Sequence, residues 1–212
     1  MNLFRLTADL LHLASIVILL LKIHQTKSCA GLSLKTQLLY FIVFATRYLD
    51  LFTRYYGLYN SLMKLFFIGT SAYIVYLMYM KYRPSYAANL DTFRIEFLLG
   101  GAALLALAFP VTYFTMDILW SFSVYLEAVA ILPQLFQMTR TGEAETITSH
   151  YVFTLGAYRA LYLFNWIYRY YTEGYVDVVS WVAGFVQTLL YADFFYIYFT
   201  RVLKGRSTKL PV

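Results

Sequence analysis

Charge is scarce in this sequence. Of its 212 residues only 13% are Asp, Glu, Lys or Arg, while 61% are apolar and 20% aromatic. A soluble domain carries roughly a quarter charged residues. The shortfall excludes an ordinary soluble globule and predicts an all-α, polytopic membrane protein. Cysteine is almost absent: Cys29 stands alone, so no internal disulfide forms. The sequence offers no His-Glu pair at metal-ligand spacing, no serine-histidine arrangement and no glycine-rich cofactor loop. No metal, no cofactor and no enzymatic activity are therefore expected. Proline is rare too. Of the four prolines, Pro110 falls inside an apolar run and predicts an interruption, and Pro133 near the end of another predicts a kink. The net charge of +6 does not indicate nucleic acid, because the basic residues lie between apolar stretches rather than in one patch.

What remains is mostly apolar run. A window of about 20 residues draws seven spans: Leu3–Leu21, Thr36–Phe52, Leu62–Met80, Phe97–Phe114, Ile118–Met138, Ser149–Ile167 and Val178–Phe199. The first lacks a following cleavage site of small residues and reads as a span rather than a removable signal. The whole chain, 1–212, reads as one seven-helix domain with 200–212 as a short tail. Of the 17 lysines and arginines, eleven fall after spans 1, 3 and 5 or after span 7. The positive-inside rule then predicts a lumenal or extracellular N-terminus and a cytosolic C-terminus. A weak repeat pairs Thr46-Arg47-Tyr48-Leu49-Asp50-Leu51-Phe52 with Tyr158-Arg159-Ala160-Leu161-Tyr162-Leu163-Phe164. It predicts two three-helix units joined by a linking helix, as in transporters of the SWEET or PQ-loop type.

The stretch Ser149–Tyr171 organises the rest. It is apolar enough to enter a membrane, yet Tyr158, Tyr162, Asn165 and Arg169 recur at i, i+4, i+7 and i+11, one helical face. Polar groups at membrane depth turn from lipid toward the bundle interior or a wet cavity. Arg5, Asp9 and His12 share a face of span 1; Arg47, Asp50 and Arg54 share one of span 2. Asp117, Trp120 and Glu127 lie in span 5, and Trp166 and Arg169 close span 6. The expected topology brings these to the lumenal half, around one vestibule closed below by apolar and aromatic residues. Arg5, Arg47 and Arg169 suit carboxylates. Asp50 and Asp117 suit an ammonium group, with Trp120 or Trp166 adding a cation–π contact. That mixture fits a short acidic peptide with a free C-terminus. His12 titrates within the range that cell compartments span and predicts acid-favoured binding. A Glu127–Tyr158 hydrogen bond is the second candidate switch. Arg159, one position off the polar face, reads as structural or interfacial. Asp193 is an intramembrane acid without an obvious partner.

Longer motifs extend the pattern. The stretches Thr46–Phe52, Trp120–Glu127, Ala130-Ile131-Leu132-Pro133-Gln134-Leu135, Tyr158–Tyr162 and Asp193-Phe194-Phe195-Tyr196, with the opening Met1-Asn2-Leu3-Phe4-Arg5, resemble the KDEL receptor family over essentially the whole chain. The resemblance implies a SWEET-like seven-helix receptor for C-terminal Lys-Asp-Glu-Leu or His-Asp-Glu-Leu signals. Such a receptor binds in the mildly acidic Golgi and releases in the endoplasmic reticulum. It implies that Arg5, Arg47 and Arg169 hold the signal's carboxylates, assisted by Tyr48 and Tyr162. Asp50, Asp117, Trp120 and Trp166 would receive the basic first residue. His12 would sense protons, and Glu127 with Tyr158 would lock the bound state. Asp193 would serve return transport, and a lysine signal in the tail would recruit the COPI coat. Here the tail reads Lys204-Gly205-Arg206-Ser207-Thr208-Lys209, with Arg206 where lysine is usual, and Asp117 replaces the usual glutamate. Lipid is the other expected partner, since a basic tail beside a membrane meets anionic headgroups. The rival reading is a small-molecule transporter, which requires a polar path continuing to the cytosolic face.

Overall fold

Asn2 begins the first helix by accepting the backbone N–H of Arg5 on its side chain at 2.9 Å. The computed structural model in which this is seen describes residues 2–55, 57–141 and 146–202. All regular structure among them is helical. Helix α1 spans Leu3–Thr26, α2 Leu34–Arg47, α3 Leu58–Tyr76, α4 Ile95–Ala108 and α5 Thr115–Val129. Then follow α6 Leu132–Thr141, α7 Thr146–Glu173, α8 Val178–Leu190 and α9 Ala192–Ile197. Ser33 and Asp177 cap α2 and α8 by the same side-chain device as Asn2. Lys27, at φ 50°, ends α1 in the left-handed region.

Among the described residues, three helical stretches are long and apolar enough to cross a membrane: Leu3–Thr26, Leu58–Lys81 and Thr115–Thr141. Val178–Leu190 and Ala192–Thr200 make a fourth if the pair, bent by 41°, is one span. Helix α4 is apolar but shorter, at 14 residues. Helices α2 and α7 stand outside that group; α2 ends at Arg47, and α7 carries Tyr158, Arg159, Tyr162, Asn165 and Arg169.

Several boundaries differ from the sequence-based spans. The second span ends as an α-helix at Arg47 and continues as a 3-10 turn, Leu49–Phe52. The fourth stops at Ala108 rather than Phe114, because Pro110 drives Phe109 out of helical conformation (φ −135°, ψ 59°). In the fifth, α5 gives way to α6 around Ala130–Ile131, with Pro133 in the first turn of α6. The last breaks at Tyr191 between α8 and α9.

Packing places α1 chiefly against α7, α2 against α3 and α5, and α8 against both α5 and α7. Ile16, Leu19, Leu39, Val43, Leu126, Ile131 and Leu155 form the buried centre. Residues 13–21 of α1 and 38–46 of α2 carry no charge and pack here as a layer, with Ser15 and Tyr40 among their buried polar members. Beyond that layer lies a polar knot of loop and helix ends. Asp91 accepts bonds from Ser33 Oγ (2.9 Å), Tyr86 Oη (2.7 Å) and Lys35 N (3.1 Å). Gln134 reaches Ser33 N and Gly31 O, both at 2.9 Å. Lys22 donates to Thr148 Oγ1 (2.6 Å) and Ala30 O (2.9 Å). Lys22, Ser33, Asp91 and Gln134 are all buried at this end, and the functional groups gather at the other.

Candidate functional site

The cavity end is built from the C-terminus of α2, the start of α3, and the α4–α5 and α7–α8 loops. They surround a cavity of about 980 Å³ whose lining includes Arg47, Tyr48, Asp50, Asp117 and Trp120. The early end of α2 creates it. Tyr48 N still bonds Phe44 O, then Thr53 N and Arg54 N both close on Asp50 O. Arg47 therefore leaves the last helical turn pointing across the bundle, while Asp50 sits on the tight turn beside α3.

Arg47 meets Glu127 of α5. Its Nη1 lies 2.5 Å from Glu127 Oε2, and its Nε donates to Ser123 Oγ at 3.0 Å. Arg159 of α7 ion-pairs with the same Glu127 oxygen, and the Tyr158 hydroxyl donates to the other. Arg159 also donates to the Tyr158 oxygen at 3.2 Å. Glu127 and Arg159 are 1% and 7% exposed. One buried carboxylate thus faces two guanidinium groups from opposite helices. Burial makes an unpaired charge expensive, and removing a single partner is worse than removing the pair. The count here leaves one positive charge in excess. Arg47 also lines the cavity, with its side chain 16% exposed, while its buried Nη2 has no hydrogen-bond partner among the described residues. A carboxylate entering the cavity meets a side chain that shares the single Glu127 carboxylate with Arg159.

His12 completes the cluster. Its ring, 8% exposed, stacks on Tyr158 with centroids 4.1 Å apart and planes 2° from parallel. Phe67 lies against it at 4.6 Å and Phe44 at 5.7 Å. Glu127, Arg159 and Arg47 are the charged groups that act on it.

The polar face of α7 lies on α1, as its spacing requires. Tyr162 Oη donates to Asp9 Oδ1 at 2.5 Å, and Asn165 Oδ1 accepts from Asn2 Nδ2 at 2.8 Å. Arg5 and Arg169 line a second, smaller cavity of about 290 Å³ with Asn2 and Asn165. Arg5 also approaches Asp9 at 4.0 Å; Arg169 pairs with Glu173 at 2.7 Å and lies 4.0 Å over the Tyr175 ring.

The structure divides the single vestibule read from the sequence. Arg47, Tyr48, Asp50, Asp117 and Trp120 share the large cavity, and Arg5 and Arg169 the small one. Tyr162 is turned to Asp9 between them, in neither lining. Trp166 is in neither lining: it packs on Gly184, where a Cβ atom would sit 2.5 Å from the indole, so the missing side chain fixes its place. Asp50 already holds an ammonium group, that of Lys64 at 2.7 Å. Asp117 accepts from Thr112 Oγ1. Asp193 is exposed on the first turn of α9 and stands apart from both cavities. Lys204 and Arg206 lie outside the described residues. Arg159 is not interfacial; its buried partner Glu127 places it in the core. Three contributors escaped the sequence reading: Ser123, Lys64 and the role of Arg159. A buried Glu127 needing more than one hydroxyl was the available signal for the last.

Comparison with known proteins supplies the remaining finding. The family described as "ER lumen protein retaining receptor" matches residues 28–169. The ER lumen protein-retaining receptor of Drosophila melanogaster is 59% identical over 211 residues, covering 100% of both chains. ER lumen protein-retaining receptor 2 of Bos taurus is 60% identical, and that of Homo sapiens 58%, each over 211 residues and 100% of both chains.

Proposed function

Since the chain belongs to the ER lumen protein-retaining receptor family, we propose that it is a pH-dependent receptor for the C-terminal Lys-Asp-Glu-Leu-type signal of ER lumenal proteins. It binds the signal in the acidic Golgi, returns the cargo to the endoplasmic reticulum and releases it at neutral pH. The family is one of retention receptors and not of enzymes.

The observation that carries the reading is the two-to-one pairing on Glu127, with Arg47 also lining the cavity. A peptide carboxylate placed there offsets the surplus positive charge. Arg5 and Arg169, in the neighbouring cavity, are the partners for the signal's remaining carboxylates. Tyr48 lines the large cavity, Tyr162 holds α1 to α7, and Asp50, Asp117 and Trp120 face the basic first residue. Trp166 acts from behind, by fixing α8 against α7. A proton on the His12 ring sits beside two guanidinium groups, and it becomes favourable once an anion has arrived. Proton and peptide therefore bind together, and affinity rises as pH falls. Glu127 with Tyr158 fixes Arg47 in that state.

The finer architecture belongs to the same proposal. All seven helical stretches cross the membrane, the broken α8–α9 pair as one, in a SWEET-like arrangement. The N-terminus faces the lumen, which puts both cavities there and the polar knot of Asp91 at the cytosolic face. Residues 200–212 form the cytosolic tail, where Lys204 and Arg206 meet the COPI coat and anionic lipid, and Asp193 acts in return transport. The resulting locations are the Golgi and ER membranes and COPI vesicles.

The test is a titration of purified protein with peptides ending in free Lys-Asp-Glu-Leu or His-Asp-Glu-Leu, from about pH 5 to 7.5, where histidine responds. Binding that strengthens as pH falls is expected. Equal binding of a C-terminally amidated peptide would sink the proposal.

A further inference from the structure

The large cavity carries its own balance of charge. Among the described residues its lining holds the acids Asp50, Asp117 and Asp177 and the bases Arg47, Arg54 and Lys64. Two of the acids are held by hydroxyl groups. Thr112 Oγ1 donates to Asp117, and Ser180 Oγ donates to Asp177 at 2.6 Å, at the cap of α8. A hydroxyl satisfies a lone pair but leaves the negative charge in place. Asp50 differs, because its partner is a full cation, the Lys64 ammonium at 2.7 Å.

Helical spacing puts Lys64 there. Lys64, Phe67 and Ser71 recur at i, i+3 and i+7 of α3, and Phe67 and Ser71 are buried. Lys64 thus belongs to the inward face, while Leu62 and Leu65 are exposed. A charged group on an apolar span turns from lipid in this way. Asp50 comes to it from another element. It lies on the turn Leu49–Phe52 that follows the end of α2, and the Thr53 and Arg54 N–H groups both close on its carbonyl. The Lys64 side chain is 15% exposed and that of Asp50 35%, so the pair sits at the cavity wall within reach of a ligand. Lys64 Nζ also lies 5.9 Å from the centre of the Tyr48 ring. A lysine on its flexible four-carbon stem can leave such a partner by side-chain rotation, without moving α3.

We propose that Lys64 is a resident competitor for Asp50. In the empty cavity its ammonium occupies the place that the basic first residue of the signal takes, and peptide binding exchanges one ammonium for the other. The inference rests on the receptor function proposed above and names the residue that sets its selectivity at that first position. The exchange also sets a threshold. A lone amine gains on Asp50 only what Lys64 already supplies. A peptide whose carboxylates are already held delivers its amine at high effective concentration, and so displaces the lysine. Lys64 therefore lowers the gain from a basic first residue and rejects cations that arrive without the rest of the signal.

The test is displacement of a labelled peptide from full-length protein in detergent at acidic pH. It compares free-acid peptides ending in Lys-Asp-Glu-Leu and Ala-Asp-Glu-Leu. With the competitor gone, the preference for Lys over Ala should rise at least about fivefold in Lys64→Met, and likewise in the more polar Lys64→Gln. Lys64→Arg keeps a competing cation, and its preference should stay within about twofold of wild type. Any effect of position 64 on folding or on the acidic residues of the peptide acts on both peptides and cancels in the ratio. Adding Asp50→Asn to Lys64→Met should abolish the gain. A preference unmoved or lowered by removing Lys64, or a gain that survives Asp50→Asn, overturns the exchange while the receptor reading stands. Wild-type protein that binds neither peptide refutes the receptor reading, and this inference falls with it.

Discussion

Arg47→Ala is the most discriminating substitution. Arg47 gives two of its three nitrogens to the protein, to Glu127 at 2.5 Å and Ser123 at 3.0 Å, and its side chain also lines the cavity. Truncation leaves Glu127 with Arg159 and Tyr158, so the buried carboxylate keeps a counter-charge. The fold should survive, with the loss of a helix-bridging pair showing as a modest fall in Tm. Binding should not survive. A desolvated carboxylate that loses its charge-assisted partner is weakened by about 2–5 kcal/mol. That corresponds to roughly 30- to 5,000-fold in Kd, since each 1.4 kcal/mol is tenfold. The assay is displacement of a labelled free-acid peptide from purified protein at acidic pH, with thermal unfolding measured on the same sample. Arg47→Lys should recover little, because one ammonium cannot span Glu127, Ser123 and the ligand together. An Arg47→Ala protein that unfolds normally and binds within about threefold of wild type would refute the charge argument outright.

Three further outcomes follow from the same geometry. His12→Phe keeps the ring stack on Tyr158 but removes the titrating group; peptide affinity measured across acidic and neutral pH should flatten, and an unaltered profile would clear His12 of the role. Gly184→Ala puts a methyl group into the Trp166 indole; the overpacking should cost about 1–3 kcal/mol of stability by denaturation, and a neutral result would mean that α7 and α8 part freely. The Cys29 thiol is fully buried and burial pushes its pKa up, so alkylation at neutral pH should be slow in folded protein and fast on unfolding; prompt modification of native protein would contradict the packing of the α1–α2 loop.

Much of this was legible in sequence because membrane depth restricts where charge can sit. The recurrence of Tyr158, Tyr162, Asn165 and Arg169 announced one face of α7, and that face meets Asp9 and Asn2 on α1. The Glu127–Tyr158 bond was readable from depth alone. The pairing of charges was not. Arg47 and Asp50 sit three apart and suggest one another, but α2 ends between them and each turns to a different helix. Arg159 escaped because helical spacing assigns faces only to within a residue or so, and its long side chain reaches back over Tyr158 and Tyr162 to Glu127. The seat of Trp166 over Gly184 was equally illegible, a contact between residues whose types alone carry no mutual signal.

The knot around Asp91 and Gln134 also imposes an order on biogenesis. Ser33 and Thr36 leave the ribosome about a hundred residues before the glutamine that satisfies them, at sequence separations of 101 and 98. Until α6 has been made, those groups wait in a half-built bundle, and the first helix waits longer still for α7. Nascent chains stopped short of Gln134 should remain open to added protease at the α1–α2 loop, while chains released after α7 should resist. Quality control has there a simple cue for an unfinished molecule.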